Sequence, residues 1–438
     1  MIPRLLAFWD RIRSSLWALP LLMVGAASLL AYAALNIQLD IGGDSATWYL
    51  YSGSAKQAPQ FLSNLVSAMI TMATLAISIT MVVLTLAAQQ LGPRLIRSFM
   101  ADKRTQVALG LFIATVVYLL LVLRRTYGLE DSTPNLAVTV GTALVLISVG
   151  TLLFFVHHLA QSIIADNVID RVGEQLDENI ARLLPDEDTV QPAAPADTAM
   201  RGAPVSLTAG GYVQAIDIDA IVDAAAEAEA FVALDIRAGQ HTVPGCVVSH
   251  VSPAAAAERL TAAIRAAVLV GHERTAIQDL EFSVHQLVEV ALRALSPGIN
   301  DPFTAIAALD RLTLSLACVM KRGEALRVFQ DADKRTRLVM PVSSFEGITD
   351  AAFNQIRQRS SGMPALLIRM AANIGQLLEQ ADAAQRVALE KHLTLVLRAG
   401  RRSIDDEADL NDLEQCARVA NGAKPRAGTS EAHPGPER

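Results

Sequence analysis

Cysteine is nearly absent from this chain: Cys246, Cys318 and Cys416 are the only three in 438 residues, and no two form a Cys-x-x-Cys pair. That spacing excludes a disulfide framework and a thiolate zinc site, and isolated thiols suit a reducing compartment. The pattern Gly-x-Gly-x-x-Gly is missing, and Gly210-Gly211 is not followed by Lys-Ser/Thr, so no phosphate loop is present and the pair reads as a structural turn. A nucleophile motif, paired metal clusters and a cofactor fingerprint are missing too, so no cofactor is expected and an enzyme is the least favoured reading. Charge is lacking where it matters most. No Asp, Glu, Lys, Arg or His lies within Leu16–Leu35, Phe61–Ala88 or Val107–Leu123. A proton relay or a charged selectivity ring therefore has no parts there.

What these stretches contain is apolar. With Leu136–Leu159 they make four runs in the first 160 residues, each about the length a helix needs to cross a ~30 Å hydrocarbon layer. Basic flanks set the orientation. Arg4, Arg11, Arg13, Arg94, Arg97, Lys103 and Arg104 lie on one side, against Lys56, Arg124 and Arg125 on the other. Seven against three puts both termini in the cytoplasm, with Arg124 and Arg125 snorkelling at the outer boundary. Trp9 and Trp17 on the inner flank, and Trp48, Tyr49 and Tyr51 on the outer, suit interfacial belts. Ala31-Tyr32-Ala33 resembles a signal cleavage site, but the basic leader is long and the first run is of spanning length. His157 and His158, at the inner end of the fourth run, read as solvated interfacial residues.

Of the chain's 37 basic and 44 acidic residues, 10 and 6 precede residue 160, a net of +4 there and −11 beyond. An acidic soluble part does not favour nucleic acid, whose phosphates need a cationic face, and no nucleic-acid partner is expected.

The second run carries a polar seam. Asn64, Thr71, Ser78 and Thr85 recur every seven residues, with Ser67 and Thr74 between them. Small hydroxyl residues let membrane helices approach and hydrogen-bond. The seam is read as a helix-packing face or, where several copies meet, as the lining of a water-filled path.

The fold class expected is mainly α: four N-terminal transmembrane helices (1–159), then a cytoplasmic domain with a small α/β unit and a helical region. Residues 160–185 read as an extension of the fourth span, 186–204 as a linker, 205–252 as the α/β unit, 253–420 as helical and 421–438 as a disordered tail. Within the α/β unit, Val205–Thr208, Tyr212–Ile216, Phe231–Arg237 and Cys246–Val251 read as strands, with a helix over Ala220–Ala230 capped by Asp217 or Asp219. Downstream, Ile277, Leu280, Val284, Leu287, Val288, Ala291 and Leu295 form a core-facing helical stripe. Later helices are expected over Asp301–Lys321, Ile348–Arg359, Pro364–Glu379 and Ala383–Arg398.

Glu281, His285, Glu289 and Arg293 step by four along that striped helix. Such a ladder is a salt-bridged wet face or, less readily, part of a metal site that would need a second element; no metal is expected. The loop after it, Ser296 to Thr304, forces a sharp reversal. Asp301 can cap the next helix with Pro302 at its first position, which accounts for the loop structurally. Alternatively Ser296, Asn300, Asp301 and Thr304 beside Arg293, with Glu281, His285 and Glu289 on the preceding helix, form a polar pocket for an anionic or polar ligand.

Several segments here are motif-like: Gly271-His272-Glu273-Arg274-Thr275, Gln278-Asp279, Leu287-Val288-Glu289, and Arg293 through Ala305. With Gln89–Arg94, the Ser/Thr-rich second span and Gly211–Asp217, they resemble a bacterial membrane-protein family catalogued as domain of unknown function 2254. The resemblance implies a multi-pass protein of the bacterial inner membrane with four N-terminal spans, and brings no reaction and no catalytic residue. The functions it leaves in view are a membrane sensor or scaffold with a ligand- or partner-binding cytoplasmic domain, a homo-oligomeric channel or permease-like protein lined by the second helix, and, third, a membrane-anchored enzyme. The partners expected are the lipid bilayer, further copies of the chain, and a cytoplasmic protein or small-molecule ligand.

Overall fold

The computed structural model describes residues 16–37, 51, 56–91, 99–100, 102–127, 134–162, 164–186, 202–323, 325–420 and 422. Arg4, Arg11, Arg13, Arg94, Arg97, Trp9, Trp48 and Tyr49 lie outside them, as do most of the linker and all but one residue of the tail. The chain divides into two compact units, one of Leu5–Val168 and one of Ile169–Arg438.

The first unit is built from α1 (Ala18–Asn36), α2 (Ala58–Leu91), α3 (Lys103–Thr126) and α4 (Asn135–Ser162). All four are long and apolar enough to cross a membrane. The third is the most enclosed and packs against the other three. Close approach is possible because Gly110 faces Pro20 and Met23, and Gly141 faces Tyr118 and Leu119. Polar groups in this core are paired. The Tyr118 hydroxyl donates to the Ala137 carbonyl at 3.0 Å, and the Thr115 and Ser148 hydroxyls meet at 3.2 Å. At the start of α3, Asp102 caps the helix and lies 2.6 Å from His158 Nε2. His158 is only 7% exposed, so the expectation that it is a solvated interfacial residue is corrected: a carboxylate holds it.

The fourth helix does not run on unbroken. It stops at Ser162, Ile164 is not helical, and α5 (Ala165–Leu183) begins anew. Side chains take the place of helix bonds at the break: Ser162 Oγ donates to Leu159 O at 2.8 Å and Asn167 Nδ2 to Gln161 O at 2.9 Å. Val172, Leu176 and Ile180 recur at helical spacing along α5 and are buried. The helix is fixed within the second unit by Asp177, which accepts from Arg311 Nη2 at 2.6 Å and Ser315 Oγ at 2.7 Å. Asn179 adds a bond to Ser283 Oγ at 3.0 Å.

The second unit holds two sheets. The strands are β1 (Ala203–Ser206), β2 (Gly211–Ile216), β3 (Phe231–Leu234), β4 (His241–Thr242), β5 (Val247–Ser252), β6 (Val268–Gly271), β7 (Val328–Gln330) and β8 (Thr336–Val339). The five-stranded sheet has the order β1-β5-β3-β8-β7 and the three-stranded one β4-β2-β6. Between β2 and β3 runs α6 (Ile218–Glu227), capped by Asp217, whose side chain accepts from Ala220 N. Between β5 and β6 runs α7 (Ala257–Ala267); Ile221, Val232, Val251 and Ile264 close a common core. Gly211 sits at φ 139° with the Gly271 carbonyl where a Cβ would be, so only glycine fits there.

The remaining helices are α8 (Leu280–Ala294), α9 (Pro302–Met320), α10 (Phe345–Arg359), α11 (Pro364–Leu378), α12 (Ala383–Ser403) and α13 (Glu407–Ala420). Residues 253–400, read from the sequence as helical, also contain β6, β7 and β8, and β8 pairs in parallel with β3. Three- and four-residue strands are too short to show a period of two, and only the distant partner defines them. Beyond the four expected spans, α9 meets the same length and composition standard. Its Asp310 and Arg311 are ion-paired with Arg369 and Asp177 of the same unit.

Candidate functional site

A cavity of about 340 Å³ opens in the second unit where five separate segments converge. These are the last turn of α5 with Leu184-Pro185, the start of α6, the chain after β3, the start of α8, and the stretch around β7 and β8. Leu280, Phe329, Met340 and Val342 give it apolar walls. Its volume falls in the range typical of small-molecule sites, about 300–1,000 Å³.

Each wall is held by local chemistry. Gln278 closes on the end of β2: Ile216 N–H donates to its Oε1 at 2.8 Å and its Nε2 donates back to Ile216 O at 3.0 Å. Asp279 then starts α8. It is 1% exposed, accepts from Phe282 N at 3.0 Å, and is gripped by Arg274 through bonds of 2.8 and 3.0 Å. Gly239, at φ 90°, lies where a Cβ would enter that carboxylate, so β3's outgoing chain comes close to α8. Arg322–Asp186 at 2.8 Å and Gly323 N to Pro185 O at 3.1 Å fix the segment that follows α5.

Two arginines, Arg182 and Arg237, are among the residues that line the cavity, and they differ. Arg237 donates to Glu281 Oε1 at 2.7 Å and to Ser343 Oγ at 3.2 Å. Its charge is matched by a carboxylate that is itself mostly buried. Arg182 is exposed, and its Nη2 donates to Asn179 Oδ1 at 2.6 Å and Ala276 O at 3.2 Å, both neutral acceptors. The cavity thus pairs apolar walls with one arginine already matched and one facing neutral oxygens.

The residues picked from the sequence are divided by the fold. Glu281 reaches across to Arg237 and so bears on the cavity wall. His285 Nδ1 lies 3.4 Å from Arg274 Nη1. Glu289 and Arg293 are half-buried further along the same helix. The loop is a reversal: Asn300 N and Ile299 N return to Ser296 O, Asn300 takes φ 49°, and Asp301 N donates to Ala294 O at 2.8 Å. Asp301 accepts from Phe303 N and Thr304 N, both at 3.1 Å, and from the Thr304 hydroxyl at 2.5 Å. The Thr304 hydroxyl bond, with backbone donors behind it, holds the Asp301 carboxyl below its ordinary range. Every polar atom named in that turn serves the turn. Among the described residues no cluster of three or more His, Cys, Asp or Glu could hold a metal.

The polar seam of α2 is exposed throughout: Asn64, Ser67, Thr71, Thr74, Ser78 and Thr85 face away from the other three helices. The face packed inward is Leu62, Val66, Met69, Ala73, Ala76, Thr80, Val83 and Ala87. Ser67, Thr71, Ser78 and Thr85 donate their hydroxyls to the carbonyl four residues back, the means by which such residues satisfy themselves on a single helix. Arg182, Arg237, Phe329, Met340 and Ser343 were not anticipated. They stand in three separate stretches of chain, and only the fold joins them.

Compared with known proteins, residues 13–375 match the family described as predicted membrane protein, domain of unknown function 2254. An uncharacterized protein of Mycobacterium bovis and one of Mycobacterium tuberculosis are each 30% identical over 444 residues, covering 98% of this chain and 84% of the relative. No solved structure matches the chain. The chain belongs to this predicted membrane protein family.

Proposed function

We propose that this family member is a sensor of the bacterial inner membrane, its termini in the cytoplasm, whose second unit binds a small apolar-bodied ligand in the cavity. The orientation rests on the excess of basic residues on one side of the spans. One observation carries the sensing role: Arg182, Leu183, Leu184 and Pro185, which end the helix following the fourth span, form part of the cavity wall. A ligand there touches that helix directly, and its differential affinity for two positions of the helix is the energy available to shift between them. The test is hydrogen exchange on the full chain in lipid nanodiscs with 1-octanol as probe. Saturable protection of residues 182–185 and 340–343, lost in Met340→Trp, is expected. Failure of both 1-octanol and octanoate to bind or protect would overturn the reading.

A second reading is favoured by the outward seam of α2. Hydroxyls and an amide directed away from their own bundle are suited to a neighbouring copy, where they would pack or line a path. Ser78→Cys in a background lacking the three native cysteines should yield a covalent dimer on mild oxidation in membranes. Monomer alone, together with no flux above empty liposomes, would exclude it.

A further inference from the structure

The cavity's chemistry defines a ligand class, an inference that rests on the ligand-binding reading above. The apolar walls exclude a sugar or a nucleotide, whose many hydroxyls or phosphates would lie unpaired against Leu280, Phe329 and Met340. The two arginines exclude a cation. Arg237 is neutralised by Glu281 and braced by Ser343, so it serves as wall. Among the described residues, Arg182 bonds two neutral oxygens through its Nη2, and a planar, five-donor fork has further donors suited to an anion. One such fork matches one carboxylate. The volume of about 340 Å³ lies at the small end of the range of about 300–1,000 Å³ typical of small-molecule sites, which suits a short chain better than a full lipid tail. We propose that the cavity selects a medium-length monocarboxylic acid, its body against Leu280, Phe329 and Met340 and its carboxylate on Arg182.

The experiment is isothermal titration of the full chain in nanodiscs, with empty discs subtracted, using octanoate, 1-octanol and hexadecanoate. Octanoate should bind saturably at pH 7, with 1-octanol and hexadecanoate each at least tenfold weaker. Arg182→Gln, a change at an exposed side chain, should weaken octanoate at least tenfold and 1-octanol far less. Arg182→Lys, which keeps the charge and loses the fork, should fall between. Equal affinity for octanoate and 1-octanol, tighter binding of hexadecanoate, or octanoate binding indifferent to Arg182→Gln would overturn acid selection. Binding of 1-octanol without octanoate would overturn it too, while leaving the cavity as a ligand site; no binding of either would overturn both.

Discussion

Removing the Asp279 carboxylate should unfasten the start of α8 at a cost well above that of an ordinary helix cap. The group is 1% exposed and takes two bonds from Arg274 and one from Phe282 N. Breaking a buried ion pair from one side costs about 3–5 kcal/mol, because the other charge is left behind. Arg274 keeps 23% of its side chain in solvent and lies 5.6 Å over the Phe282 ring, which places the loss at the lower end. The lost cap adds about 1 kcal/mol, partly counted already because the same oxygen serves both roles. Asp279→Ala is therefore expected to destabilise the second unit by about 3–4 kcal/mol. Asp279→Asn, which keeps an acceptor for Phe282 N, should cost less. Tryptophan fluorescence would miss the effect, since Trp9, Trp17 and Trp48 all precede the second unit. The assay is urea dependence of amide exchange across residues 280–294 in the full chain. A loss of only about 1 kcal/mol, equal to that of a surface cap, would refute the argument from burial.

Three further outcomes follow from the same geometry. Asp301→Ala should cost about 1 kcal/mol in that exchange assay, and because the folded carboxyl is held low by Thr304, wild type should lose this contribution as pH falls below about 4. Gly173→Ala should destabilise by about 1–2 kcal/mol, against the usual gain for a helical glycine, because the new methyl would meet Arg311 where it grips Asp177; a rise in melting temperature would contradict it. His392 is fully buried, with Nε2 2.9 Å from Asp350 Oδ1 but off a good hydrogen-bonding angle. Burial outweighs that carboxylate and, with Lys391 and Arg357 opposing charge, lowers the imidazole below 6.5. Its stabilisation is therefore complete above the unfolded value near 6.5 and lost as pH falls through the lowered folded one. His392→Leu should flatten the melting temperature between pH 7 and 5, and an unchanged slope would show that another group sets it.

The helices were legible because each carries its own evidence. The four long apolar helices, the Asp217 and Asp301 caps, and the stripe from Leu280 to Leu295 are local patterns that need no partner to be seen. The strands divide on the same ground. β2 and β5 run six residues each, and β1 and β3, of four each, lie in longer apolar stretches bounded by turns; β6, β7 and β8, of four, three and four residues, lie among helical patterns and are defined by pairing with strands far away in sequence. His158 was misjudged for that reason too. Its carboxylate partner is 56 residues earlier, and a lone histidine at a span's end gives no sign of it.

Motif density and a cavity need not coincide. The stretch from Arg293 to Thr304 is the most patterned in the chain, and the fold uses its named polar groups to reverse direction and cap a helix. A reversal between two buried helices demands specific residues because every displaced backbone group must find a partner. An apolar cavity makes no such local demand. Leu280, Phe329, Met340 and Val342 would be acceptable in any core, and what makes them a cavity wall is that their surfaces fail to meet. The polar groups that give the space direction, Arg182 and Arg237, come from a helix end and the loop after β3, places where an arginine is ordinarily unexceptional. Glu281 joins the two levels: it was read as a rung of a surface ladder, and in the fold it neutralises Arg237 and leaves Arg182 as the cavity's distinguishing charge. Replacing Glu281 with Gln should therefore release Arg237 as a second anion contact and tighten octanoate binding; weaker binding would mean that Glu281 acts by holding the wall in place.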